Sequence, residues 1–259
     1  MERKNRIWLV LVNIMAFILF VQFAGAAEIT DSLLSQGNNL YLQRQYDKAE
    51  TNYKRIVALG FESADLYYNL GNALYKQEKF AESILYYEKA LLLNPGDEDI
   101  KQNLYLANAQ IIDKIDVIPD FFVKRWIHSM KGIFSPDQWG IFSIILFALS
   151  LLGFVIYMIS HSLLIRKLSF SSGFVLLSVS IISFILMFTR ISDIQEHDSA
   201  IIMAPSVNAR SSPDEQSTNV FVLHEGAKVM ILDSIQNWRE IRIANGNKGW
   251  VQKDMLKQI

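Results

Sequence analysis

The sequence predicts a multidomain membrane protein: an all-α solenoid, then a two-helix transmembrane hairpin, then a small all-β barrel. Three observations carry this. Two uncharged apolar runs, Trp139 to Ser160 and Leu168 to Thr189, lie close together past the middle of the chain. Before them a helical pattern repeats every 34 residues, and after them short apolar runs alternate with turn residues. Composition agrees, since 51% hydrophobic residues and a mean hydropathy of +0.18 over 259 residues exceed what a soluble domain usually carries. The net charge of −1 offers nothing to a nucleic-acid partner. The absence of cysteine excludes disulfides, thiolate zinc sites and cysteine nucleophiles.

The N-terminus places Arg3, Lys4 and Arg6 before an apolar run from Ile7 to Phe20, and small residues follow at Ala24 to Ala27. Ala24-x-Ala26 fits a signal-peptidase site, so residues 1–26 read as a signal peptide. An uncleaved anchor helix ending near Phe23 is the alternative. Both export the residues that follow.

Self-comparison of residues 30–115 sets Gly37-Asn38 on Gly71-Asn72, Asn69-Leu70 on Asn103-Leu104, Tyr46 on Phe80, and Tyr53 on Tyr87. The second copy runs Tyr67-Tyr68-Asn69-Leu70-Gly71-Asn72-Ala73-Leu74-Tyr75, then Phe80, Tyr87, Ala90 and Asn94-Pro95. This resembles the tetratricopeptide (TPR) repeat. Small Gly71 and Ala90 allow close helix crossing, aromatics fill the gap, and Pro95 stops the second helix. Copies over 30–63 and 64–97 are expected, with a capping helix over 97–115 closing the last apolar face. Copy one departs from the pattern at Gln36, Ile56 and Phe61, copy two at Ser83, and the third unit at Tyr105.

TPR units hold peptides on the side lined by their first helices. The resemblance therefore implies a groove of Asn38, Tyr41, Asn69, Asn72, Lys76 and Asn103. An asparagine amide both donates and accepts, so it can hold a peptide backbone without selecting a side chain. Local backbone satisfaction is the plainer role for the same residues. The carboxylate-clamp variant of the family needs lysines where this chain has Leu34 and Asp99.

Phe122, Trp126, Met130 and Ile133-Phe134 recur at helical spacing beside Lys124, Arg125 and Lys131. An amphipathic interfacial helix over 119–136 is expected, its cations on lipid phosphates. Transmembrane helices then follow over 139–160 and 168–189. Each has about 22 residues, which at ~1.5 Å per residue spans roughly 33 Å. A connection of about seven residues forces them antiparallel, and Ser169-x-x-x-Gly173 offers a close-contact surface. A soluble buried hairpin is the alternative. An exported start and two crossings place residues 27–136 and 191–259 on one outer side, with Arg166 and Lys167 at a cytoplasmic tip. Counted alone, Lys124, Arg125 and Lys131 favour the reverse.

From Ser199 the apolar runs are Ala200–Met203, Val220–Leu223, Lys228–Leu232 and Trp238–Ile243, with Asn245-Gly246 as a hairpin signal. Ala204 to Pro213 reads as a strand and a long loop. Asn237-Trp238-Arg239-Glu240-Ile241 and Lys248-Gly249-Trp250-Val251 read as two tryptophan-bearing strands. Over 198–259 this set resembles a bacterial SH3-like domain. The resemblance implies a shallow ligand face near Asn208, Arg210, Trp238 and Trp250. In the plainer reading Trp250 is core and Arg210 pins the loop.

No catalytic constellation emerges. His128, His161, His197 and His224 lie on different segments without ligand spacing, and there is no phosphate-cradling glycine loop or serine elbow. Asp97-Glu98-Asp99 suits a helix N-terminus. No metal, cofactor or enzymatic activity is expected. The order of modules resembles the BatE-like proteins of bacterial aerotolerance (Bat) operons. That resemblance implies an inner-membrane scaffold with both modules in the periplasm, partnered by lipids and other Bat-type membrane proteins (von Willebrand A-type proteins and a MoxR-type ATPase). The alternative is an envelope tether binding peptidoglycan through the barrel.

Overall fold

The computed structural model describes residues 29–114, 122–195 and 198–259. The expected signal peptide lies outside them, as do residues 115–121 of the expected cap and interfacial segment. The chain divides into two units, Met1–Lys79 and Phe80–Ile259.

The first unit holds α1 (29–42), α2 (Tyr46–Ala58) and α3 (Ala64–Tyr75). Leu33 and Gly37 bury one stripe of α1, and Ala49, Tyr53 and Ile56 bury one stripe of α2. The missing side chain at Gly37 makes room for Tyr53, because a Cβ would lie 2.6 Å from Tyr53 Cε1. Helix α3 starts at Ser63, whose hydroxyl accepts from the Leu66 amide at 3.1 Å. It buries Leu66, Tyr67, Leu70, Gly71, Ala73 and Leu74.

The second unit opens with α4 (Phe80–Leu93) and α5 (Glu98–Asn108), packed as a pair. Asp97 caps α5, accepting from the Asp99 and Ile100 amides at 3.0 and 3.1 Å. The helix stops short of the 115 expected from the sequence. Lys114 Nζ reaches back to the Asn108 and Ala109 carbonyls, both at 2.9 Å, and closes its C-terminal end. Residues 111–113 are thereby free to turn toward the barrel.

Helix α6 (Phe122–Lys131) is followed by α7 (Pro136–Ile159) and α8 (Leu163–Gln195). Ser135 and Gln138 form a reciprocal capping box with Pro136 in the first turn, which separates α6 from α7. The two long helices form an antiparallel hairpin. Its connection is three residues, 160–162, rather than the expected seven, so Arg166 and Lys167 lie inside α8. Backbone hydrogen bonding continues past the apolar window because nothing in Leu163–Lys167 breaks a helix.

Close approach along the hairpin follows from small residues. A Cβ on Gly153 would lie 3.3 Å from Gly173 Cα. Ser150 Oγ donates to the Gly173 carbonyl at 2.8 Å, and Ser143 and Ser180 hydroxyls donate to each other's carbonyls at 3.0 and 2.9 Å. Outward-facing Ile144, Leu152 and Ile182 stay 69%, 55% and 54% exposed, so this is not the buried hairpin of a soluble core.

The C-terminal strands are β1 (Ser199–Ile202), β2 (Ser206–Arg210), β3 (Asn219–His224), β4 (Lys228–Ile235), β5 (Trp238–Arg242), β6 (Lys248–Gln252) and β7 (Leu256–Gln258). They form one antiparallel sheet in the order β3-β2-β6-β5-β4-β1-β7. Alternate residues, among them Val207, Ala209, Val229, Ile241 and Val251, fill a single core. Strand β7 has three residues and no alternation long enough to show in the sequence.

Candidate binding surfaces

In the first unit Asn38 and Asn69 meet. Asn69 Nδ2 donates to Asn38 Oδ1 at 3.3 Å, and the Tyr53 hydroxyl donates to the same oxygen at 2.7 Å. Burial, with Tyr41 as a neighbour, raises the Tyr53 hydroxyl to about 12, so it remains a donor at any physiological pH. Tyr41 packs edge-on against Tyr46 at 5.2 Å, and its own hydroxyl is raised by burial and by Tyr46 and Tyr68. Asn72 on α3 and Lys76 at its C-cap follow Asn69 at i+3 and i+7 and continue its stripe. Asn103 lies on α5, in the second unit.

A charged cluster in the same unit escaped the sequence reading. Glu50 is 8% exposed, and Lys54, Lys79 and Gln77 hold its carboxylate at 2.7, 2.8 and 2.8 Å. Burial opposes its charge, but the hydrogen bonds from Lys54, Lys79 and Gln77 outweigh that, and the carboxyl sits below its ordinary value. The available signal was an acid adjoining the buried stripe of α2 with Lys54 one turn on.

On the barrel, all four singled-out residues occupy the face opposite the core. Arg210, Trp250 and Glu240 stand abreast on β2, β6 and β5. Trp238 pairs with Gln252 in the next row, and Asn208 lies two residues back from Arg210 on the same side of β2. Trp250 is half-buried and outside the core cluster, contrary to its plainer reading. Arg210 does hold the loop 211–218, donating to the Ser217 carbonyl at 2.9 Å. Gln252 reaches the same loop at Glu215, 3.0 Å away. The loop thus rims a face bearing two tryptophans.

The barrel is also fixed within its own unit. His224 N–H donates to Asp113 Oδ2 at 2.6 Å, and His224 Nδ1 lies 2.9 Å from Asp113 Oδ1. Lys228 pairs with Glu88 at 2.7 Å. At the membrane-proximal end Arg190, 7% exposed, donates to the Leu92 carbonyl at 2.9 Å, one of the orphan acceptors closing α4. Asp193 binds Arg190 at 3.5 Å and Lys131 at 3.0 Å. Lys131, expected on lipid phosphate, is instead held by Asp193, because the end of α8 returns beside α6. Among the described residues no group of three His, Asp or Glu converges as a metal site.

These features define a multidomain membrane protein: TPR-like helices, two apolar helices long enough to span a bilayer, and an SH3-like barrel. Comparison with known proteins agrees. The tetratricopeptide repeat family matches residues 64–97, and the bacterial SH3 domain family matches residues 205–257. Both are typically modules of interaction rather than catalysis. The chain is also similar to Protein O-mannosyl-transferase TMTC1 of Homo sapiens, 33% identical over 76 residues, 29% of this chain and 9% of that protein. The Mus musculus protein of the same name shows 33% identity over 76 residues, 8% of its length. The likeness thus spans under a tenth of either relative.

Proposed function

We propose that this protein is a non-enzymatic scaffold of a bacterial inner membrane, presenting its TPR helices and SH3-like barrel together on the periplasmic side. One observation supports the reading most. Helix α4, the segment after α5, the barrel and the Gln195 end of the hairpin are joined by Arg190–Leu92, Lys228–Glu88 and Asp113–His224, as an even number of crossings requires. The groove would comprise Asn38, Tyr41, Asn69, Asn72 and Lys76 of the first unit, and the partners would be other Bat-type membrane proteins in an aerotolerance complex. Co-purification from membranes should lose those partners when Asn69, Asn72 and Lys76 become alanine. An unchanged partner set would overturn the groove assignment. Orientation is tested by Asn208→Cys, the single thiol of an otherwise cysteine-free chain. A membrane-impermeant maleimide should label it in spheroplasts, and protection until lysis would reverse the topology.

A second reading, a peptidoglycan tether, is favoured by the outward Trp238 and Trp250 beside Asn208 and Arg210. Aromatic faces with adjacent donors suit sugars and peptide stems. Full-length protein should sediment with purified sacculi and lose that binding on Trp238→Ala/Trp250→Ala. No sedimentation by the wild type would exclude the tether.

A further inference from the structure

The turn end of the hairpin carries a site that neither module accounts for. Leu163, Arg166, Lys167 and Phe170 follow the i, i+3, i+4, i+7 spacing that aligns side chains on one stripe of α8. With Tyr157, near the end of α7, they line an open pocket of about 330 Å³. The Tyr157 and Phe170 rings lie 5.5 Å apart, and the Arg166 guanidinium sits 5.1 Å from the Tyr157 centroid. Stacking over a ring orients a guanidinium while leaving its N–H edge available to an anion.

What that anion is follows from the surroundings. No Asp or Glu occurs from Gln138 through Ser192, and among the described residues neither Arg166 nor Lys167 has a carboxylate partner. At the hairpin's other end the acids are Asp137, in the first turn of α7, and Asp193, which is engaged by Lys131 and Arg190. Leu163 and Phe170 are 74% and 48% exposed beside the two cations. A soluble anion would satisfy the charges and leave these apolar walls in water. A phosphate that carries acyl chains satisfies both, and the end of a spanning hairpin lies at the depth of such headgroups.

We propose that this pocket binds the phosphate of one anionic phospholipid. Arg166 donates in bidentate fashion from its stacked position, Lys167 supplies the second charge, and Leu163 and Phe170 pack against the first methylenes of the chains. The inference rests on α7 and α8 spanning the membrane and is independent of which leaflet holds the tip.

The test is native mass spectrometry of the full chain in neutral detergent, titrated with phosphatidylglycerol, phosphatidylcholine or inorganic phosphate. At roughly fivefold affinity per cation at an anionic headgroup, two cations should make the wild type retain phosphatidylglycerol over phosphatidylcholine by about 25-fold. Arg166→Gln/Lys167→Gln should abolish the preference. Tyr157→Leu, which keeps both charges and loses the stacking wall, should reduce it several-fold. Equal retention of the two lipids, an undiminished preference in Tyr157→Leu, or displacement of lipid by millimolar inorganic phosphate would each overturn the proposal. Alkaline carbonate extraction of membranes carrying the full chain separates the two readings. A carbonate-resistant chain without lipid preference defeats the pocket alone, whereas a wild type released by carbonate defeats the spanning hairpin.

Discussion

Gly226 is the residue at which the seating of the barrel on the α4–α5 pair can be measured. It turns the chain from β3 into β4 at φ +87°, and its amide donates to the Ile202 carbonyl at 2.8 Å. A Cβ there would overlap Ile111 Cγ2 and lie 3.3 Å from Ile84 Cδ1. Gly226→Ala therefore incurs two costs. The left-handed backbone disfavours an L residue by about 1–2 kcal/mol. Forcing a methyl into a packed contact adds about 1–3 kcal/mol. Denaturant unfolding of the full chain in detergent reads the total, and Ile111→Ala separates the terms by removing the clashing side chain. If the barrel sits on Ile111, the double variant should be more stable than additivity predicts by at least ~1 kcal/mol. Additivity within ~0.5 kcal/mol would mean that no clash exists and that the barrel is not docked there.

Three further outcomes follow from the same geometry. Asp113→Ala removes the acceptor of the His224 amide and should cost about 1.5–3 kcal/mol; unchanged hydrogen-exchange protection of that amide would refute the contact. Glu50 has a folded carboxyl pKa below its ordinary 4.5, so its stabilisation is complete above that value and is lost as pH falls through the folded one. Near-UV circular dichroism during unfolding should show wild type and Glu50→Gln diverging above pH 4.5 and converging in stronger acid, and a pH-independent gap would contradict this. In the hairpin, Ser143→Ala and Ser180→Ala should each cost about 0.6 kcal/mol in SDS unfolding, and stabilisation by either would show that the serines do not bridge the helices.

Much of the architecture was legible because it rests on periodicities that survive any tertiary arrangement. Tyr53 and Tyr87 recur at one repeat length and are both buried, each 1% exposed. The turn at Asn245-Gly246 lies between β5 and β6, with Ile243 donating to the Asn247 carbonyl at 3.0 Å. Element ends were harder to read. Helix α8 ran past its apolar window at both ends, because hydropathy marks what lipid tolerates and not where backbone hydrogen bonds stop. Helix α5 ended early because Lys114, outside any apolar pattern, closes its carbonyls.

For the candidate surfaces the division is sharper. Resemblance to the repeat and barrel families picked out Asn38, Asn69, Arg210, Trp238 and Trp250, with residue types that suit binding. Only the fold shows Asn38 and Asn69 in contact, Trp250 facing away from the core, and Arg210 holding the loop that rims it. Asp113 and Arg190 went unremarked because they draw their meaning from partners distant in sequence, and Glu50 because only Lys54 of its partners is local while Gln77 and Lys79 lie 27 and 29 residues away. Arg190 binds a carbonyl 98 residues away, and Asp113 meets a histidine 111 residues away.

By itself, then, the sequence determined the kinds of element, their order and the presence of two long apolar helices, since composition and period act locally along the chain. The tertiary structure alone decided which polar groups close on one another. A hydrogen bond or ion pair depends on ångström-scale meetings of residues that no local pattern relates.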